Sequence, residues 1–214
     1  MTMYVPPHFA PTAEQLEELL ASIGAADLIS STARGLMATF LPMVYDPPGT
    51  TPTTGPAGSL LGHFARKKEQ WREPALGEAL AIVRGRDGYI SPAWYATKRE
   101  HGRVVPTWNY VVAHLYGAMV IHDDPAWVEA NVRRLSETHE AGRPEPWSVD
   151  DAPQRFIEGQ LRAIVGVELR VTRIEAKLKL SQNRSPADVE GAIAGLEELG
   201  DPLAGPMRAA NQRG

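Results

Sequence analysis

Residues 104–121 alternate in character over a length that only an extended strand crossing a whole sheet would use, and this run limits the folds open to the chain. In an extended backbone Thr107, Asn109, Val111, Ala113 and Leu115 share one face. Trp108, Tyr110, Val112, His114 and Tyr116 share the other. A strand this long has to curve, and Gly117 supplies the place for a bulge or bend.

The neighbouring segments supply partners for that strand. Residues 28–31 and 36–45 read as two strands joined by a turn at Arg34-Gly35, with Pro42 marking an edge, bulge or bend. Residues 46–58, rich in Pro, Gly and Thr, read as a loop. Residues 59–62 form a short strand leading into a helical turn at 63–66. Residues 79–83 form another strand, ended by the turn signal Gly85-Arg-Asp-Gly88. Residues 167–174 alternate and predict a half-exposed strand.

Helices flank this β core. Thr12 and Gln15 make a capping box, followed by Leu16, Leu19, Leu20 and Ile23, with Gly24 as the stop. Asp124 and Pro125 open a second helix with Val128, Val132 and Leu135 as its stripe. A third covers 153–163. Ser185-Pro186 caps a last one carrying Val189, Ile193 and Leu196. The pattern predicts a mainly β (α+β) fold, an antiparallel core whose strands pair as hairpins and Greek-key neighbours, with helices at both ends.

Composition narrows the function. At 214 residues the chain fits one large domain, burying roughly 70% of its unfolded surface. It has no cysteine, so thiol chemistry and thiolate metal sites are excluded. A net charge of −4, with scattered basic residues and no helix-turn-helix pattern, argues against direct DNA binding. The N-terminus lacks a signal-peptide pattern and no apolar run approaches membrane-spanning length, so a soluble, cytoplasmic protein without membrane contact is expected. The histidines at 8, 101, 114, 122 and 139 show no metal spacing, and no P-loop, dinucleotide fingerprint or nucleophile elbow is present. No catalytic residue is identifiable.

Two strings carry chemistry. Residues 89–98 (Tyr-Ile-Ser-Pro-Ala-Trp-Tyr-Ala-Thr-Lys) and 104–110 (Val-Val-Pro-Thr-Trp-Asn-Tyr) mix aromatic rings, hydroxyls, an amide and a lysine, which suits a flat anionic ligand. Lys98 and Arg66 are candidates for a phosphate, with Ser91 and Thr107 donating hydroxyls. Solvated surface charge, a turn hydroxyl and an ordinary strand threonine are the plain alternatives. Trp94, Tyr95, Trp108 and Tyr110 are candidate ring walls, although for Trp108 and Tyr110 a core or subunit interface is the simpler account. Asn109 points away from them among apolar neighbours and needs a partner for its amide. Lys179, Ser181, Gln182 and Asn183 in series read as a segment reaching a ligand, or as a linker before a capped helix. His63 is either a ligand or acid–base group, or a histidine capping a turn.

These residues resemble the PaiB-type family of FMN-binding negative transcriptional regulators. The resemblance rests on 3–9 (Met-Tyr-Val-Pro-Pro-His-Phe), 62–66 (Gly-His-Phe-Ala-Arg), the 89–110 block and 177–184 (Lys-Leu-Lys-Leu-Ser-Gln-Asn-Arg), and runs nearly end to end. It implies a split β-barrel of the FMN-binding type over residues 1–176. It further implies a C-terminal segment, 177–214, packing on the barrel or on a dimer partner. FMN at the interface of a homodimer, and a role in repressing sporulation and degradative-enzyme genes, are also implied. The alternative is a flavin-dependent reductase or oxidase on the same fold. This chain departs from the family pattern at Phe40, where the family often has His, and at Lys68, where it has Asn.

Overall fold

The sheet starts from the tight turn after Thr32. In the computed structural model, which describes residues 3–212, β1 (Ala25–Thr32) and β2 (Gly35–Asp46) pair antiparallel, from Ala25 opposite Pro42 to Thr32 opposite Gly35. Gly35 has φ +104°, a conformation that a side chain would oppose. The Thr32 hydroxyl locks the turn by donating to the Gly35 carbonyl (2.9 Å) and accepting from the Arg34 N–H (3.1 Å).

Four more strands complete the sheet: β3 (Ser59–Ala65), β4 (Ala79–Ile90), β5 (Thr107–His122) and β6 (Ile164–Lys179). Their order, β1-β2-β3-β6-β5-β4, closes into a barrel because β4 pairs back onto β1. β3 and β4 follow each other in the chain but are not neighbours, the jump that defines a Greek key. Around the strands lie α1 (Ala13–Ala21), α2 (Thr97–His101), α3 (Pro125–Glu140), α4 (Gln154–Leu161), α5 (Pro186–Glu198) and α6 (Ala204–Gln212). The antiparallel split-barrel architecture with flanking helices expected from the sequence is therefore present. Among the described residues no helix is long and apolar enough to cross a membrane.

The chain divides into two compact units, to which β4, β5 and β6 each contribute a segment. The barrel unit comprises Glu17–Val83 and His114–Ile174. Its core is Leu28, Met43, Leu60, Phe64, Ala81, Leu115, Val167 and Leu169, all fully buried. Two charged side chains sit in this unit almost as deep: Asp46, paired with Arg134, and Glu168. Glu168, 4% exposed, lies on β6 between its two neighbouring strands. It accepts from Ser59 Oγ on β3 (2.8 Å) and Arg170 Nε on its own strand (3.2 Å), and pairs with His122 Nε2 on β5 (3.0 Å). The His122 ring stacks on Trp127 of α3 with centroids 4.0 Å apart and planes within 6°. Trp127 lies over Gly166, where a Cβ would come within 2.2 Å of the indole.

The second unit comprises Met1–Leu16, Arg84–Ala113 and Glu175–Gly214. Its buried side chains include Ile90, Tyr95, Leu180, Leu196, Leu203 and Met207. The capping box forms as read, with Thr12 N–H donating to Gln15 Oε1 (2.9 Å) and Gln15 N–H to Thr12 Oγ1 (3.2 Å).

Four local readings require correction. Residues 63–66 do not form a helical turn: β3 continues to Ala65 because its ladder with β6 runs from Ser59 opposite Arg170 to Ala65 opposite Ile164. Gly85-Arg-Asp-Gly88 is not a turn but the middle of β4. Gly85 is required by closeness rather than bending, since a Cβ there would lie 2.8 Å from Val111 Cβ. β6 is sixteen residues long, not eight, and is buried on both faces over Val165–Leu169, as Trp127 covers Gly166. α5 is followed by a further helix, α6, whose Pro206 sits in the first turn, where its missing N–H is harmless. Gly117 also acts by closeness: a Cβ would lie 2.0 Å from the Arg170 carbonyl oxygen.

Two stability tests follow. Gly117→Ala forces β5 and β6 apart at a backbone contact and should destabilise by about 1–3 kcal/mol, read as a lower urea midpoint. Glu168→Gln should cost about 3 kcal/mol, because Arg170 and His122 lose their anionic partner on the face of the sheet that α3 covers.

Candidate functional site

The end of β6 brings five sequence-predicted residues into one bonded group in the second unit. Lys179 donates from Nζ to Thr107 Oγ1 (2.5 Å) and to the Trp108 carbonyl (2.7 Å) at the start of β5. Two residues on, Ser181 accepts from Asn109 Nδ2 (2.9 Å). Alternation of β5 is what separates Trp108, 52% exposed, from Asn109, fully buried. Trp108 donates its indole N–H to Asp87 (2.8 Å) and meets Tyr89 edge-on at 6.4 Å.

Electrostatically this group is cationic. Burial lowers the Lys179 pKa, and the nearby charges of Lys177 and Arg184 lower it further; no carboxylate acts in the opposite sense. Lys177 sits 5.6–5.8 Å from the ring centroids of Tyr4, Phe9 and Tyr110. Asn109 Oδ1 is buried without a hydrogen-bond partner. Ser181 holds φ +71° although it is not glycine, a strained conformation of the sort found at ligand sites. A desolvated ammonium beside a hydroxyl, two further cations and a half-exposed indole suit a phosphate attached to a planar ring. The residues present therefore fit FMN.

The other predicted residues of this unit hold structure. Ser91 caps the short 3-10 turn Pro92–Trp94, accepting from Ala93 N–H (3.2 Å). Trp94 lies in a notch on α5: a Cβ at Gly195 would stand 2.4 Å from its indole, and one at Gly191 would stand 2.1 Å from its carbonyl oxygen. Tyr95 is 1% exposed, with its hydroxyl unpartnered and the Arg184 guanidinium 4.8 Å over its ring. Burial raises the Tyr95 pKa. Thr97 donates from N–H (3.0 Å) and hydroxyl (2.9 Å) to buried Asp188. Burial alone would raise the Asp188 pKa, but those bonds outweigh it and the net shift is downward. Lys98 is exposed on α2 and its ammonium makes no hydrogen bond or ion pair among the described residues. The Gln182 side chain closes the local turn, accepting from Leu180 N–H (2.8 Å) and donating to the Leu178 carbonyl (2.6 Å).

Arg66 and His63 belong to the barrel unit. Arg66 is fully engaged: it donates to the carbonyls of Arg162 and Ile164 (both 2.9 Å) and pairs with Asp123 (2.5 Å). That hydrogen bond from Arg66 lowers the Asp123 pKa. His63 has an unpartnered, buried Nδ1, and burial lowers its pKa. Of the two departures from the family pattern, Phe40 is 69% exposed and Lys68 is exposed. Lys177 and Tyr89 join the cationic group without having been singled out as site residues. Their signal was present in the quoted strings, as a second lysine at strand spacing from Lys179 and an aromatic opening the 89–98 block.

Two outcomes are expected from this geometry. Gly195→Val should expel Trp94 from its notch, at about 1–3 kcal/mol, with a red shift of tryptophan emission. His63, with its folded pKa depressed, keeps its full stability contribution above about pH 6.5 and loses it as pH falls toward the folded value, because the unfolded chain gains the proton first. His63→Asn should therefore flatten the urea midpoint against pH in that window; an unchanged slope would refute this.

The chain is similar to known proteins. The Bacillus subtilis protein called Protease synthase and sporulation protein PAI 2 is 31% identical over 208 residues, covering 96% of this chain and 94% of its own. An uncharacterised protein of Aspergillus fumigatus is 32% identical over 219 residues, covering 84% of this chain and 83% of that one. In structure, the conserved hypothetical protein Rv2991 of Mycobacterium tuberculosis superposes with TM-score 0.54 at 11% identity, covering 86% of this chain and 94% of that one. The FAD and heme binding protein of Mycobacterium smegmatis does so with TM-score 0.52 at 18% identity, covering 86% and 78%. These likenesses in structure establish a shared fold. Residues 3–173 match the family described as "Putative FMN-binding domain", which supports FMN as the cofactor, and the chain belongs to that family.

Proposed function

We propose that this protein binds FMN, or a closely related planar anion, and works in the cytoplasm as a homodimeric regulator of the PaiB type. The observation that carries the ligand reading is the state of Lys179. Its ammonium is partly desolvated, sits beside the Thr107 hydroxyl, and is surrounded by like charge from Lys177 and Arg184. A phosphate would relieve that repulsion and form charge-assisted hydrogen bonds with both groups. Trp108 would face the ring system, and the free ammonium of Lys98 is a further phosphate candidate. Asn109 and Ser181, bonded to each other behind the lysine, would fix the approach of the chain.

Bound FMN would supply hydride and single-electron chemistry. What this chain contributes is binding and orientation: Lys179 and Thr107 hold charge, and the indole of Trp108 excludes water from one side. The regulatory part of the proposal draws on the likeness to the Bacillus subtilis protein, whose name refers to protease synthesis and sporulation. A cytoplasmic setting agrees with the absence of cysteine. Dimerisation rests on the resemblance set out above.

The test is an FMN titration followed by flavin fluorescence and melting temperature, beside the visible spectrum of freshly purified protein. Saturable binding is expected, with Lys179→Gln weakening it at least about tenfold. Affinity should also fall with rising pH, with a midpoint below the ordinary lysine value of about 10.4, because binding retains a proton that the free protein gives up early. No bound flavin and no melting shift would end the proposal. Sedimentation at micromolar protein tests the dimer separately.

A further inference from the structure

A recess lies in the second unit, where α5 and α6 diverge. The cleft has a volume of about 280 Å³. It is formed by residues beyond the 3–173 stretch that matches the FMN-binding family. Its size falls just below the roughly 300–1,000 Å³ of sites for drug-sized ligands, so it suits a molecule smaller than FMN.

The lining is patterned. Val189 and Ile193, one turn apart on α5, give it an apolar floor. Two opposite charges stand on its walls, Arg184 before the helix and Glu190 on it. Arg184 makes no salt bridge among the described residues; its guanidinium rests over the Tyr95 ring and lies near enough to Asp188 to help lower that carboxyl's pKa. Glu190 makes neither a hydrogen bond nor an ion pair among them, and its charge helps raise the Arg208 pKa across the cleft wall. The remaining cation of the wall, Arg208, is already held by Glu197 at 2.5 Å. The backbone that delivers Arg184 turns at Ser181, whose left-handed conformation is strained for a non-glycine residue and is held by the bond from Asn109. A plain linker into a capped helix has no need of a strained, buried serine.

We infer that the cleft between α5 and α6 binds a small zwitterion with an apolar side chain, that is, an α-amino acid of the leucine or phenylalanine class. Arg184 takes the carboxylate, Glu190 takes the ammonium, and Val189 and Ile193 receive the side chain. A purely apolar ligand would cover both charges without partnering them, which is unfavourable. A simple anion would leave Glu190 opposing it. A zwitterion satisfies both ends at once and buries its side chain on the floor.

The experiment uses the full chain and calorimetric titration with L-leucine, L-leucinamide, which lacks the carboxylate, and 4-methylpentanoate, which lacks the ammonium. Saturable leucine binding is expected, with each analogue weaker by about tenfold or more. Ala210→Trp, which fills the cleft from the α6 wall, should abolish leucine binding while leaving the FMN titration unchanged. Glu190→Gln, at an exposed position, should weaken leucine by about tenfold and strengthen 4-methylpentanoate, whose carboxylate no longer meets a like charge, which keeps the test decisive if the tryptophan variant does not fold. No saturable leucine binding up to about 20 mM, equal binding of all three compounds, or leucine binding insensitive to both variants would overturn the inference.

Discussion

Glu168 is the constraint around which the barrel is assembled. A carboxylate this deep is tolerated only when every oxygen is partnered, and here the partners come from three consecutive strands of the sheet order, Ser59 on β3, Arg170 on β6 and His122 on β5. The requirement fixes register, since a slip of one residue would turn Glu168 into the apolar interior and Val167 or Leu169 away from it. It extends outward too. His122 stacks on Trp127, Trp127 needs the bare backbone of Gly166, and Asn131 on the same helix donates to the Gly62 carbonyl (2.9 Å) on β3. One buried charge thus ties three strands to the helix that covers them.

The second unit is organised by a different economy, in which aromatic side chains dock against glycine. Trp94 enters the notch at Gly191 and Gly195, and Thr97 fastens the same segment by two bonds to Asp188. Charge is left over where it is useful. Burial depresses the Lys179 pKa, and the nearby charges of Lys177 and Arg184 depress it further. The same string of residues also places Arg184 on the wall of the α5–α6 cleft.

Legibility in the sequence followed the range of the interactions. The Thr12 and Gln15 box, the Asp124 cap of α3 and the Ser185 cap of α5 are local and were read correctly, since each depends on residues within one turn. Glycines were read less well. Gly85, Gly88 and Gly117 look like turn or bulge signals, yet each accommodates a close approach by a distant part of the chain, which no local pattern reveals. The continuation of β3 through His63 and of β6 beyond Val167–Ile174 likewise comes from pairing with a partner about a hundred residues away in sequence.

For the candidate site, residue types alone pointed to a planar anion, because hydroxyls, an amide, lysines and aromatic rings so concentrated are poorly explained by a core. That Thr107 and Lys179, 72 positions apart, are bonded to each other was beyond the sequence, as was the engagement of Arg66 with Asp123 and two backbone carbonyls. The sequence determined which segments are extended or helical, where the helices are capped and which chemistry the chain carries, since these are set by neighbouring residues. Only the tertiary structure decided which charges are neutralised and which stay available, because that depends on pairing across the sheet and on the glycines that let backbones meet.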